Sequence, residues 1–302
     1  MTAEVWRSQY SNERYLEACS LQELATRLAE IQYNLLSFCP QGFPQSDCSP
    51  HCLWLKERAA HVQHELDLRQ AHGFTENCAS LNRIEQQYPN VQRAIQAWGN
   101  RRIPKSQYFV KYGQQAHLRK VFHEGLLYFQ PASRYNDPLL NPAVRDTELE
   151  AAASLPTGTG LQRQNDQGNY EDIQIFGRMS VTNRSATDFY IFCSSAIYQH
   201  RLFDDFRADA CLLVYRPKEF LLRMVDALKE RYYNWLFAEK MVSYYDPLRL
   251  NCSIDIPFVK HFRYWYQREY RVVVKPKEPM TQLEPIWLNL GNVSDLCELI
   301  VL

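Results

Sequence analysis

The hydrophobic period of this 302-residue chain changes once, and that change limits the possible folds more than any single motif does. Up to Gly99 apolar residues recur at helical spacing. SLQE at Ser20 to Glu23 fits a capping box, and Leu21, Leu24, Leu28, Ile31 and Leu35 follow on one face. A second helix is expected from Ser49-Pro50, with Leu55, Ala59, Val62 and Leu66 inward, to about Gly73. A third is expected from Thr75, bent at Pro89 and stopped by Gly99. NRRIPKSQ, Asn100 to Gln107, has no periodicity and reads as a boundary.

Beyond it the apolar runs are short and rich in β-branched and aromatic residues: QYFVKY, LLYFQ, DIQIF, DFYIFCSS, CLLVY, MVSYY, YWYQREYRVVV and a last ELIVL. Two helices are expected among them, Gln114 to Glu124 and Pro217 to Glu239. Residues 141–168 lack periodicity and read as a long loop. The expectation is an α+β chain: a helical bundle over residues 1–103 for target or partner recognition, then a strand-dominated domain over 104–302.

Bulk properties exclude some functions. Lys and Arg (34) balance Asp and Glu (34), so no global field draws the chain to nucleic acid or an acidic membrane. No apolar run approaches the roughly 18 residues of a membrane span, and the first residues lack a signal-peptide core, so a cytoplasmic protein is expected. Nine cysteines without paired spacing point to reduced thiols. Cys39, Cys48 and Cys52 offer one loose C-x3-C where zinc sites show two tight pairs, so a helix-connecting loop is the expectation there. No glycine motif for Rossmann or P-loop nucleotide binding is present.

Chemistry concentrates in YQREYRVVV. Read as a strand, alternation puts Gln267, Glu269 and Arg271 on one face and Arg268 and Tyr270 on the other, with three valines running on into a core. Two readings fit: a surface ion pair between Glu269 and Arg268 or Arg271, and a carboxylate at the rim of a functional sheet. Just upstream, Lys260, Arg263 and Arg268 stand between aromatics, a pattern that suits either single-stranded nucleic acid or an ordinary strand with extended basic side chains.

The order of features resembles the ADP-ribosyltransferase superfamily. Lys111-Tyr112 ends a first strand, LLYF is followed by SRYNDP (Asn136-Asp137-Pro138), a second strand ends in FCSS, and a third carries Trp265 to Arg271 with its Q-x-E. The likeness is closest to a bacterial family of unknown function with KY, NDP and W-x-x-E-x-E-x-R-like motifs, and covers roughly residues 107–302. It implies a mixed, mainly antiparallel two-sheet domain with NAD, as substrate, in a cleft between the sheets. Glu269 is then the catalytic glutamate, its carboxylate stabilising positive charge on the ribose as the bond to nicotinamide breaks. Gln267 would face the acceptor. Ser194 and Ser195 would seat the nicotinamide ribose; capping a strand end is their other role. Lys111, beside Tyr112, would meet the pyrophosphate, or be an edge-strand lysine with its ammonium in solvent. Arg134 would contact phosphate and Tyr135 stack on a ring. Cys193 departs from the serine expected there.

The implied activity is transfer of ADP-ribose to a protein or nucleic-acid acceptor, as in a bacterial toxin, effector or phage-defence enzyme, with an antitoxin or regulator held by the N-terminal helices. The alternatives are an NAD glycohydrolase and a non-catalytic protein- or RNA-binding module.

Overall fold

The computed structural model describes residues 3–71, 87–103, 107–155, 161–173, 178–249 and 253–302. It is an α+β structure with helices first and sheets after. The helical part holds α1 (Ala3–Glu13), α2 (Leu21–Leu35) and α3 (Leu53–Leu68), then α4 (Val91–Trp98). The capping box of α2 forms: Ser20 Oγ accepts from the Glu23 amide, and the Glu23 carboxylate accepts from the Ser20 amide. The stretch expected to be a connecting loop contains a short hairpin, β1 (Leu36–Phe38) with β2 (Pro44–Ser46), in which Cys39 and Cys48 lie just beyond the strands. The part of the third expected helix from Thr75 to Gln86 lies outside the described residues.

The second part is built on β3 (Phe109–Gly113), α5 (Gln115–Glu124), β4 (Leu126–Pro131), β5 (Glu150–Leu155), β6 (Leu161–Gln164), β7 (Tyr170–Ile173), β8 (Met179–Arg184), β9 (Tyr190–Ser195), α6 (Leu202–Asp205), β10 (Ala210–Val214), α7 (Pro217–Tyr232), β11 (Leu236–Met241), β12 (Ser243–Tyr245), β13 (Val259–His261), β14 (Glu269–Lys275), β15 (Ile286–Asn289) and β16 (Cys297–Val301). Six strands form one antiparallel path, β11-β14-β9-β3-β10-β16, while β4 pairs with both β9 and β15. One face of this sheet packs its alternate residues, among them Phe109, Phe192, Leu212 and Val272, against α5 and α7. Gly125 lets α5 stop sharply: its φ is +68°, and a Cβ there would lie 1.9 Å from the Gly291 carbonyl.

Three expectations differ from the structure. The supposed loop at 141–168 contains β5 and β6, which pair antiparallel with β8 and β7. The helix expected to reach Glu239 ends at Tyr232, because Leu236–Met241 completes the edge of the sheet against β14. The strand expected from Tyr264 starts only at Glu269. Phe262–Gln267 is a 3-10 helix, closed by Arg268 in the left-handed region at φ 46°.

That last difference has a packing cause. Phe262 and Trp265 do not alternate across a sheet; both enter the core of the N-terminal helices, beside Leu24, Ile31, Leu55 and Val62. The Asn34 side chain of α2 accepts from the Tyr266 amide at 2.8 Å. Arg201 donates to the Tyr33 and Leu36 carbonyls at the end of α2, at 2.7 and 2.8 Å, with its guanidinium 4.4 Å from the ring centres of both Tyr33 and Tyr266. The helices and the sheet half therefore share buried surface around residues 262–267.

Candidate functional site at the split in the sheet

Strand β9 is paired with β14 from Tyr190↔Val274 to Ser195↔Glu269. Its other edge is divided. Pro131 and Gln130 of β4 pair with Tyr190 and Ile191, Val110 of β3 pairs with Ser195, and among the described residues Phe192–Ser194 between them has no strand partner on that side. A split sheet exposes backbone groups that need partners. Lys111 supplies one, donating from Nζ to the Cys193 carbonyl at 2.7 Å with its ammonium 4.9 Å from the Phe192 ring centre.

A cavity of about 260 Å³ lies at this opening. Of the residues singled out from the sequence, Lys111, Tyr112, Tyr135, Ser194, Ser195, Gln267 and Glu269 all line it. Arg134 does not. It sits on the outside of the 3-10 turn Ala132–Asn136, and its guanidinium pairs with the exposed Glu284 at 2.7 Å.

Glu269 belongs to a buried quartet. Arg271 Nε meets its Oε1 at 2.5 Å and Lys260 Nζ its Oε2 at 3.0 Å. The same two cations reach Glu148: Arg271 Nη2 donates to Oε1 at 2.8 Å, and Lys260 Nζ is 3.5 Å from that oxygen. Glu148 Oε2 lies 2.7 Å from Arg271 Nη2 but off its N–H directions, and has no hydrogen-bond partner among the described residues. All four residues are at most 5% exposed. With two positive and two negative groups the cluster is neutral, which is how charges survive burial.

The two carboxyls respond to this environment in opposite directions. Burial pushes Glu269 up, but the adjacent Arg271 and Lys260 outweigh it and hold the carboxyl well below the usual glutamate range. Burial dominates at Glu148 and raises it above that range, with the same cations only partly offsetting it. Lys260 is raised well above an ordinary lysine: desolvation opposes this, and the two glutamates prevail. Lys111 is lowered by burial, with Cys193 and Glu269 acting the other way.

The remaining candidates divide by role. Ser195 Oγ is 2.8 Å from both the Ile197 and Gln267 carbonyls, so it ties the start of β14 to the end of β9. Ser194 Oγ donates to the Tyr270 carbonyl at 3.3 Å. The Tyr112 hydroxyl is turned to the backbone of Gln199. Gln267 reaches the site from the 3-10 helix, not from the strand: Nε2 donates to the Ala143 carbonyl at 2.6 Å, and Oε1 accepts from Lys260 at 3.3 Å. The surface ion pair weighed for Glu269 is replaced by a buried one, and its partners are Arg271 and Lys260. Arg268 instead lies 3.3 Å over the Trp265 ring.

Glu148 and Lys260 had no place among the predicted site residues, and Arg271 entered only as a possible ion-pair partner. Glu148 follows the turn-rich stretch after NDP, where single glutamates carry no periodic signal. Lys260, one of the basic residues whose pattern suits single-stranded nucleic acid, is buried against Glu269 and Glu148. Among the described residues no His, Cys, Asp and Glu cluster is placed to hold a metal ion. No family model, curated protein or solved structure matches the chain.

Proposed function

We propose that this protein is an NAD-dependent ADP-ribosyltransferase that uses the cavity at the split in the sheet. The observation that supports it is convergence. Strands β3, β9 and β14 and the 3-10 helix before β14, far apart in sequence, bring Lys111, Ser194, Ser195, Gln267 and Glu269 to one cavity, the residues that the order of motifs implies. At about 260 Å³ the cavity is smaller than the roughly 300–1,000 Å³ of most small-molecule pockets. It suits nicotinamide and its ribose, with the adenosine end of NAD reaching out past Lys111.

In this reading the C1′–N bond breaks with its electron pair leaving on nicotinamide. The acceptor's lone pair bonds to C1′, and the acceptor's proton passes to water. Glu269, kept ionised by its two cations, supplies fixed negative charge beside the developing oxocarbenium ion. Gln267 lies on the side of Ala143 and orients the acceptor. Water in the acceptor's place would make the same site a glycohydrolase.

One observation favours a non-catalytic module instead: both oxygens of Glu269 are already bonded to cations. A single experiment separates the readings. Purified protein is incubated with NAD labelled in the adenylate portion, together with lysate or RNA, and compared with Glu269→Gln; folding of both is checked by circular dichroism. Transfer by the wild type, lost by about 10²–10³-fold in a folded Glu269→Gln, is the expected result. Nicotinamide release without labelled macromolecule would identify a glycohydrolase, and no saturable NAD binding by calorimetry would leave the binding module.

A further inference from the structure

A second groove, about 650 Å³, lies where α2 faces the segments 141–145 and 263–266. It adjoins the smaller cavity. Ala143 lines both, and Tyr266 walls the groove while the next residue, Gln267, walls the cavity. The Gln267 amide forms the partition, donating to the Ala143 carbonyl and lying 3.3 Å from the Tyr266 hydroxyl.

The charges of the groove are not equally committed. Asp204 accepts from the backbone and side-chain amides of Asn90, and Asp205 accepts from Arg201, Tyr33 and Tyr88. Arg145 and Arg207 are exposed, and among the described residues neither has an ion pair or side-chain hydrogen bond. Arg263 donates to the Tyr264 hydroxyl at 2.8 Å and is otherwise open, 3.9 Å from Asp146. Against these three guanidinium groups stand two carboxylates without an ion pair among the described residues, Glu30 and Asp204, whose bonds are to the neutral amides of Asn90. Tyr33, 37% exposed, supplies aromatic wall, while Tyr264 and Tyr266 line the groove but are largely buried.

Free arginines that can meet phosphate in forked geometry, set beside aromatic rings, are what a nucleic-acid strand needs. At about 650 Å³ the groove is of small-ligand size, room for a few nucleotides. We propose that this groove binds single-stranded nucleic acid and presents it to the smaller cavity past Gln267. The presentation step rests on the transferase reading above; binding by the groove does not.

The test is fluorescence anisotropy with labelled single-stranded RNA and DNA of roughly ten nucleotides, without NAD, over about 50 to 200 mM salt. Saturable binding that weakens with salt is expected. The double variant Arg145→Glu/Arg207→Glu loses no internal bond, and it should weaken binding at least about tenfold and lower the salt slope by roughly two. Arg163→Glu on the exposed strand β6, an equal change of charge per site, should stay within about twofold of the wild type. Three results overturn the proposal: no saturable binding of either strand, equal loss in Arg163→Glu, or unchanged binding in the double variant. Labelling of protein alone in the NAD assay, with no oligonucleotide binding, overturns it while leaving the transferase reading intact. Oligonucleotide binding without any NAD turnover does the reverse.

Discussion

Glu148 and Glu269 compete for the same two cations. Arg271 and Lys260 each contact both carboxylates, so the two glutamates share both cations. Removing one cation leaves a carboxylate uncompensated in the interior. Lys260→Met should therefore destabilise the fold by about 3–5 kcal/mol, measured by chemical denaturation. Adding Glu148→Gln to it should recover a large part of that loss, because one cation then faces one anion. A double variant no more stable than Lys260→Met would show that Glu148 lacks the coupling described.

A second buried charge cluster joins the helices to the sheet half. Asp246 receives Arg27 at 2.5 Å and Arg58 at 2.9 Å, with the aspartate fully buried. Asp246→Asn leaves two arginines facing a neutral amide, and we expect a loss of about 3–5 kcal/mol in the same measurement. Charge reversal at exposed Arg163 should change stability by less than about 0.5 kcal/mol.

His61, with the still more depressed His261, contributes to an acid limit on stability. Burial pushes its pKa from 6.5 down to about 4, with the neighbouring Arg58 adding to the effect, and its Nε2 has no hydrogen-bond partner among the described residues. The unfolded chain takes up a proton near pH 6.5 that the folded one refuses until about 4. The stability from this group is whole above pH 6.5 and is lost as pH falls towards 4. Glu269, also depressed, adds loss below the ordinary glutamate range. Melting temperature measured between pH 7 and 4 should fall, and His61→Gln should flatten the fall above pH 5. An unchanged slope in that variant would assign the effect elsewhere.

Gln267 is suited to separating acceptor from cofactor. Gln267→Ala removes the bonds to Ala143 and Lys260 while leaving the Glu269 ion pairs in place. If the transferase reading holds, transfer to the acceptor should drop by about tenfold or more while nicotinamide release to water persists. Equal loss of both would place Gln267 in support of the ribose site instead.

What could be read from residues alone was mostly what local rules determine. The α2 capping box and the Gly125 stop depend on a few neighbouring residues, and both were legible. Lys111, the two serines and Glu269 are linked in the sequence only through the resemblance, because no local rule says that β3, β9 and β14 become neighbours. Phe262 to Gln267 was not legible. Its aromatics have strand-like composition, but the core of α2 and α3 captures Phe262 and Trp265 and winds the segment into a 3-10 helix. Arg134 and Tyr135 are adjacent and the resemblance implies both at the cofactor, yet the turn sends one out to Glu284 and the other into the cavity. Glu148 had no local signal at all, since only the folded sheet brings it to Arg271.

The shared packing around residues 262–267 bears on how this chain can be cut or controlled. Asn34 holds the amide of Tyr266, and Arg201 ties the end of α2 to the Tyr266 ring, one residue before Gln267 and three before Glu269. The N-terminal helices thus serve as a jig for the segment that leads into β14. A protein shortened to residues 104–302 would keep every strand of the main sheet but lose the mould for that segment. Conversely, a molecule that gripped α2 could throttle the cavity from outside without entering it.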